Sequence, residues 1–432
     1  MGNLTEFVPK DSETVQRIYA AYKARGDAEP KRGYLGASIV GHECDRYLWY
    51  VFRGAVRENM PGRVYRLLDT GHREEARLVA DLRAIGCEVV DVDEATGKQF
   101  KMKAIGDHVA GHMDARVLGV PEAPKTWHVA EFKTASAKNF AKIAREGVQA
   151  AKPQHYAQMQ VYMGACGLDR ALYLVRNKDT DELYSERVRF DRATYEALMA
   201  RARRVIEATQ PLERVASRPD DFRCKFCPAH ALCWGSDETA PAVPIPAQTC
   251  RTCCHATPDT TRPGATWRCE RYRTEIDTAV GAECPTHLLL PGLVSFAEPV
   301  DSDGDSIEFR SNDNTRWTHG QQPGQWTTKQ LMTTRGPRDA LTRHDDPLLD
   351  ALPAPLPDAY PWADSELLWD GPAHDLADHV EKLIGPLEVL NHPARTISDE
   401  TVNGAEYRTS AGDYYVVRYA EEDHAAIWRG KS

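Results

Sequence analysis

The residues with the clearest chemical potential are two acids and a lysine near the middle of the chain. Glu131 and Lys133 lie in the stretch 127–135, which has the alternating pattern of a strand. Residues i and i+2 of a strand share one face, so these side chains project together while Phe132 is buried on the other side. If Asp114 ends the neighbouring strand, two carboxylates and an ammonium group meet. The alternative is a solvated strand face that carries an ion pair.

Such a group of side chains suits metal-assisted hydrolysis of a phosphodiester. Two hard oxygen ligands hold Mg²⁺ or Mn²⁺, and the ion activates water and offsets the charge that develops on the phosphate. The lysine stabilises or positions the nucleophile.

Two predicted helices carry further polar pairs, each spaced by one helical turn. The first helix spans 63–85 and the second spans 153–166. The pairs are His72 with Glu75 on the first helix and Gln158 with Tyr162 on the second.

In chain order these motifs are a G-H-x-x-E helix, a G-x-x-D strand, an E-x-K strand and a Q-x-x-x-Y helix. The series resembles the RecB-like branch of the PD-(D/E)XK nuclease superfamily over about residues 33–235. The resemblance implies an α/β fold of the α+β kind, with a restriction-endonuclease-like mixed sheet flanked by helices. One departure is that Gly-His-Met precedes Asp114, where the family has a proline-aspartate opening.

The resemblance also implies roles for individual residues. It makes Asp114 and Glu131 metal ligands, with His72 and Glu75 as additional ligands, and it makes Lys133 the catalytic lysine. Gln158 and Tyr162 would complete the catalytic set by orienting the site and contacting the DNA strand. Packing inside the helix is the alternative for Tyr162, and a partly buried structural histidine is the alternative for His72.

Eight of the eleven cysteines lie between residues 224 and 284, and their two-residue gaps favour metal ligation over disulfides. Cys44 stands before the acidic motifs, and Cys224, Cys227 and Cys233 stand after them. This arrangement resembles the iron–sulfur staple of RecB-family nucleases, including CRISPR-associated RecB-like and phage-encoded exonucleases, and implies a [4Fe–4S] cluster. The same thiolates suit Zn²⁺. In a further alternative, Cys44 is a core thiol and His230 joins the other three.

A second cysteine group follows at Cys250, Cys253, Cys269 and Cys284. Four ligands without an open position predict a structural Zn²⁺ site in a zinc-ribbon-like module. Cys254, His255 and His287 are the alternative ligands. The two remaining cysteines, Cys87 and Cys166, are expected to be inert core thiols.

The formal net charge of −10 is unevenly distributed. Residues 1–235 hold 37 of the 54 basic and 32 of the 64 acidic residues, a net of +5, which leaves −15 for residues 236–432. We predict a nuclease domain at 1–235, a Pro-rich linker at 236–249, a zinc module at 250–292 and an acidic C-terminal α+β region of unknown role at 293–432. Docking of a protein partner is one role for this last region, and an acidic tail that only aids solubility is the alternative.

The resemblance implies a DNA nuclease. Because no P-loop and no G-x-S-x-G motif occurs, we expect it to be a stand-alone nuclease. An exonuclease acting on single strands or DNA ends in recombination, repair or phage DNA processing is favoured over an endonuclease. A non-catalytic DNA- or protein-binding factor on the same fold is the other alternative. Phosphate contacts are expected from Arg46, Lys138 and Lys152. With no export signal and no apolar run that could span a membrane, a cytoplasmic location in a bacterial or phage-infected cell is expected.

Overall fold

The computed structural model describes residues 12–29, 32–56, 60–93, 96–235, 241–276 and 284–337, and the backbones of five strands between 366 and 429. The chain forms two compact units, Met1–Arg343 and His344–Ser432. No helix in the described ranges is long and apolar enough to cross a membrane.

The first unit contains eight helices within its described residues. They are α1 Glu13–Asp27, α2 Asp45–Phe52, α3 Gly62–Ala84, α4 Ala137–Ala151, α5 Pro153–Cys166, α6 Arg192–Glu207, α7 His230–Trp234 and α8 Thr328–Thr333.

The strands of the first unit up to residue 189 are β1 Leu35–Gly36, β2 Glu88–Val90, β3 Lys101–Ala104, β4 Val109–His112, β5 Ala115–Leu118, β6 His128–Ala135, β7 Arg170–Asn177 and β8 Leu183–Arg189. Five of them form a mixed sheet in the order β2-β5-β6-β7-β8, in which only the β6–β7 pair is parallel. A smaller sheet has the order β1-β4-β3.

The central sheet separates two hydrophobic cores. Ala130, Phe132, Leu172 and Leu174 of β6 and β7 pack with Leu78 of α3 in one core. The alternate strand residues pack in the other core with α5. They are Val129, Ala135, Ala171, Tyr173 and Val175. Because strand side chains alternate between faces, the apolar residues of β6 and β7 pack into both cores. The predicted fold class, a mixed sheet flanked by helices, is confirmed.

The helices predicted at 63–85 and 153–166 and the strand predicted at 127–135 correspond to α3, α5 and β6, whereas α4 is one of the helices that were not predicted from the sequence. Its helical pattern is interrupted at Gly147, whose φ of 75° lies in the left-handed region that glycine tolerates. The Glu186 carboxylate accepts a hydrogen bond from the Val148 backbone N–H at 2.7 Å just beyond this break. A tertiary contact therefore supports the helix where its own hydrogen bonds are lost.

The described residues 241–276 and 284–337 pack in the same compact unit as the central sheet. They contain β9 Ala256–Pro258, β10 Trp267–Cys269 and β11 Thr274–Ile276 in one small sheet, and β12 Ala297–Ser302, β13 Ile307–Ser311 and β14 Arg316–His319 in another. The Arg251 guanidinium donates hydrogen bonds to the carbonyls of Arg32 and Val51, both at 3.1 Å, and to that of Phe52. This arginine anchors the described residues of 250–292, called the cysteine-rich segment below, to the end of α2.

The described part of the predicted Pro-rich linker, residues 241–249, is packed rather than freely extended. Ala242, Val243 and Ile245 are at most 2% exposed, and the Val243 N–H donates to the Leu331 carbonyl at 2.8 Å. Prolines remove backbone donors and fix φ, but the apolar residues between them are free to join a core. The division of the chain into a nuclease domain, a linker, a zinc module and a C-terminal region stays a prediction.

The second unit contains a five-stranded antiparallel sheet in the order β15-β19-β18-β17-β16. The strands are β15 Glu366–Pro372, β16 Arg395–Ser398, β17 Val402–Thr409, β18 Gly412–Tyr419 and β19 His424–Arg429. The helix that the sequence predicts at 373–390 lies outside the described residues.

Candidate active site

Asp114 lies immediately before β5, the strand that pairs with β6. The register places Ala115 opposite Ala130, so Asp114 stands beside the strand that carries Glu131 and Lys133. Its Oδ2 accepts a hydrogen bond from the Phe132 backbone N–H at 2.7 Å. This bond holds the carboxylate between the two functional residues of β6.

Glu131 and Lys133 form a buried ion pair on the opposite face of β6 from Phe132. Lys133 Nζ donates to Glu131 Oε1 and, at 3.1 Å, to the Phe132 carbonyl. The Glu131 side chain is 0% exposed, and its second oxygen, Oε2, has no hydrogen-bond partner. An unpartnered carboxylate oxygen in the interior is costly, so this atom marks a place for a cation or a donor.

Glu75 of α3 joins the same cluster. Burial raises the pKa of Glu75, and the Asp114 carboxylate raises it further, whereas His72 and Lys133 oppose the shift. His72 also lowers the pKa of Asp114, against the larger effect of burial. The helix α3 therefore brings His72 and Glu75 close to Asp114, although β2, β3 and β4 lie between them in the sequence.

The acids of the cluster are held in an environment that disfavours their charge. Burial raises the pKa of Glu131, and the Asp114 and Glu75 carboxylates add to the shift, whereas Lys133 opposes it and favours the charged carboxylate. Burial likewise raises the pKa of Asp114. Burial alone would lower the pKa of Lys133, but Glu131, Asp114 and Glu75 together raise it, so the lysine stays charged.

Gln158 and Tyr162 of α5 connect the helix to the end of β4. The Tyr162 hydroxyl donates to the His112 carbonyl at 2.8 Å and accepts from Gln158 Nε2 at 3.3 Å. Both side chains are buried, and a Cβ at Gly111 would lie 2.7 Å from the Tyr162 oxygen. The glycine of the G-x-x-D motif is thus required for this close approach, and the pair is placed to position the Asp114 segment.

His155 and Tyr173 form a further pair beside the acids that was not predicted from the sequence. His155 Nδ1 lies 2.7 Å from the Tyr173 hydroxyl, and Tyr173 is the parallel-strand partner of Glu131. Burial lowers the pKa of His155 to about 3, with Lys133 and Lys152 adding to the effect. The sequence signal was weak, since His155 stands one turn before Gln158 but the register that brings Tyr173 alongside is not readable from it.

The predicted phosphate-binding residues occupy different settings. Arg46 Nε donates to the Leu212 carbonyl at 2.7 Å, so part of its guanidinium is used by the fold. Lys138 lies in the first turn of α4 and is exposed. Lys152 directly follows α4 and helps to lower the pKa of His155. Arg32 and Lys101, which the sequence analysis did not select, both lower the pKa of His112, after burial as the main cause. They place positive charge at the edge of the same site.

The first cysteine group is brought together by the fold. Cys44 precedes α2, and its thiol accepts from the Tyr47 N–H at 3.4 Å. After burial, the neighbouring sulfurs of Cys44, Cys233 and Cys224 raise the pKa of Cys227, so all four lie within electrostatic range. His230 Nε2 instead lies 3.1 Å from the Pro219 carbonyl.

The second cysteine group lines one small cavity of about 20 Å³, which contains Cys250, Cys253, Cys269 and Cys284. His255 and His287 also reach its wall, but both ring nitrogens of His287 contact threonine oxygens, at 2.9 Å from Thr328 Oγ1 and 3.0 Å from the Thr249 carbonyl. Cys254 lies elsewhere, and its thiol donates to the Leu289 carbonyl at 3.3 Å.

The carboxylates and the two cysteine groups have the ligand atoms that suit the metals predicted for them. Their side chains are not yet arranged as a coordination site. Among the described residues, no group of three or more His, Cys, Asp or Glu side chains is already arranged so that it could hold a metal ion. Hard carboxylates suit Mg²⁺ or Mn²⁺, and thiolates suit iron–sulfur or zinc. Side-chain adjustment would therefore have to accompany binding at each place.

No protein-family model and no curated protein matches the chain. Among solved structures, SSO0001 is similar with a TM-score of 0.30 and 14% identity, over 52% of this chain and 98% of that one. The alkaline exonuclease LHK-Exo from Laribacter hongkongensis has a TM-score of 0.28 and 16% identity, over 43% and 90%. LHK-Exo in complex with dAMP is similar with a TM-score of 0.27 and 15% identity, over 44% of this chain and 89% of that one.

Proposed function

We propose that the chain is a metal-dependent deoxyribonuclease of the PD-(D/E)XK type, an exonuclease that hydrolyses DNA ends or single strands. The observation that supports this most directly is the unpartnered, fully buried Glu131 Oε2 among the carboxylates of Asp114 and Glu75. A hard divalent cation, Mg²⁺ or Mn²⁺, would satisfy that oxygen and supply an activated water.

The other side chains have distinct tasks in this proposal. Lys133 keeps its proton and places a positive charge where a phosphate would lie. Phe132 holds Asp114 in position through its backbone N–H, and Gln158 with Tyr162 holds the segment before Asp114. His72 offers a further ligand, and the cations at Arg32, Lys101, Arg46, Lys138 and Lys152 are proposed to contact DNA phosphates.

Two cysteine sites complete the proposal. Cys44, Cys224, Cys227 and Cys233 are proposed to hold a [4Fe–4S] cluster, with zinc as the alternative, and Cys250, Cys253, Cys269 and Cys284 to hold a structural Zn²⁺. Both sites would join segments that are far apart in sequence. Bound metal would stabilise the folded state, because the unfolded chain cannot present the ligands together.

The decisive experiment is digestion of end-labelled linear DNA, single- and double-stranded, with Mg²⁺ or Mn²⁺. Wild type should release labelled products, whereas Glu131→Ala and Lys133→Ala should not. Glu88→Ala, at an exposed position on β2 of the same sheet, is the matched control and should remain active. If wild type and the two variants are equally inert, the chain is a binding factor, and if closed circular single strands are cut, it is an endonuclease.

A further inference from the structure

One cavity of the described residues lies away from the acidic cluster, and a buried arginine lines it. Its volume is about 520 Å³, within the range of roughly 300–1,000 Å³ that is common for small-molecule sites. The wall is formed by the end of α2, the end of α6, the cysteine-rich segment near β9, and β12 with β13.

Arg53 lies at this wall and is only 2% exposed. The faces of its guanidinium are covered by Trp49 and Trp267, whose ring centroids lie 5.6 and 5.2 Å from Cζ. At its edge, Nη2 donates to the Ala208 carbonyl at 2.8 Å, but Nε and Nη1 have no acceptor. The two tryptophan rings pack against the Arg53 guanidinium but offer no acceptor to its Nε and Nη1.

The carboxylates of the cavity wall do not serve as the missing acceptors. Glu207 Oε1 accepts from Arg203 at 3.0 Å and from Thr260 at 3.3 Å. Asp301 Oδ1 accepts from the Ser302 N–H at 2.8 Å. A buried guanidinium with unpaired N–H groups is costly to maintain, whereas a carboxylate or phosphate oxygen would form charge-assisted hydrogen bonds with it.

The remaining surface of the cavity combines polar side chains, among them Thr209, Gln210 and His255, with an apolar part. Leu288, Leu290, Pro291, Val300 and Ile307 contribute to it, and the first two are at most 5% exposed. A ligand that fits this wall would have an apolar body attached to its anionic group.

We propose that this cavity binds a small organic anion, with a carboxylate or phosphate group paired to Arg53 and an apolar body against Leu290, Val300 and Ile307. The site is separate from the acidic cluster, and the proposal does not require DNA hydrolysis. Occupation would join α2, the cysteine-rich segment and the β12–β13 hairpin through one ligand.

The test is titration calorimetry of the full chain, without divalent cations, using benzoate, phenyl phosphate and uncharged benzamide. At least one anion should bind, and benzamide should bind about tenfold or more weakly, as expected for loss of a charge-assisted hydrogen bond. The tighter anion identifies the headgroup as carboxylate or phosphate. Binding of neither anion, or equal binding of benzamide, would overturn the proposal.

Two variants locate the binding. Arg53→Gln should weaken binding of the anion about tenfold or more, without changing that of benzamide. Val300→Trp fills the cavity from a side chain that is 41% exposed and should abolish binding while the fold is kept. Val92→Trp, at a valine of equal exposure outside the cavity, is the matched control. Unchanged binding by Val300→Trp would place the anion elsewhere and refute this site.

Discussion

The Asp114 carboxylate accepts a hydrogen bond from the Phe132 backbone N–H at 2.7 Å, so an acid outside β6 is fastened between the two functional side chains of that strand. The bond gives Asp114 a structural role beside its proposed chemical one. Its two roles are separable, because an amide oxygen accepts the same hydrogen bond without carrying charge.

Asp114→Asn should therefore preserve stability and abolish hydrolysis, whereas Asp114→Ala should lose both. The alanine variant leaves the Phe132 N–H without a partner, at a cost of about 1–3 kcal/mol. Both variants should lose about 100-fold or more in DNA hydrolysis, equivalent to ~2.7 kcal/mol. Urea unfolding measures the first effect and the labelled-DNA assay the second. Full activity of Asp114→Asn would refute the proposed role of the charge.

Lys133→Met should destabilise the protein, because it leaves buried carboxylates without their cation. The loss should stay below the ~3–5 kcal/mol of a fully buried pair, since the Lys133 side chain is 28% exposed. Combining it with Glu131→Gln should recover much of the stability, while hydrolysis stays absent. A double-mutant cycle from urea unfolding measures the coupling, and strictly additive losses would contradict an ion pair of this strength.

Cys227→Ser should reduce iron content and visible absorbance if the first cysteine group holds an iron–sulfur cluster. Cys87→Ser is the matched control, because that buried thiol donates to the Gly119 carbonyl at 3.4 Å and lies outside the group. Iron analysis of both purified variants tests this. A colourless wild type that contains zinc and no iron would instead assign zinc to these thiolates.

Cys269→Ser should lower the zinc content by one atom per chain and reduce thermal stability, since Cys269 lines the second cysteine cavity. Cys254→Ser should keep the zinc, because the Cys254 thiol contacts the Leu289 carbonyl. Metal analysis distinguishes the two variants, and equal loss from both would require a different ligand set.

His155→Gln should make the protein less sensitive to acid. The pKa of His155 is lowered to about 3 by burial, then by Lys133 and Lys152, so the folded state keeps it neutral. The unfolded state takes up a proton near pH 6.5, and stability therefore falls as the pH drops below 6.5, by at most ~1.4 kcal/mol per unit. Urea midpoints at pH 7.5 and 5 measure this. An equal fall in wild type and variant would show that His155 does not contribute.

Local patterns were sufficient to predict most of the central fold. Alternation in 127–135 predicts a strand with Glu131 and Lys133 on one face, and one-turn spacing predicts the pairs on α3 and α5. These features depend on neighbours within a few residues, which the sequence displays directly. The helix α4 was missed because its break at Gly147 is supported by Glu186, a residue on a distant strand.

The sequence by itself determined which chemical groups are available: three acids, a lysine and two cysteine sets at ligand-like spacing. The tertiary structure decided which of them meet. The parallel register of β6 and β7 sets Tyr173 beside Glu131, and packing of the cysteine-rich segment on α2 encloses Arg53. Such contacts join residues far apart in the chain, and their free energy depends on burial and register, which no local pattern contains.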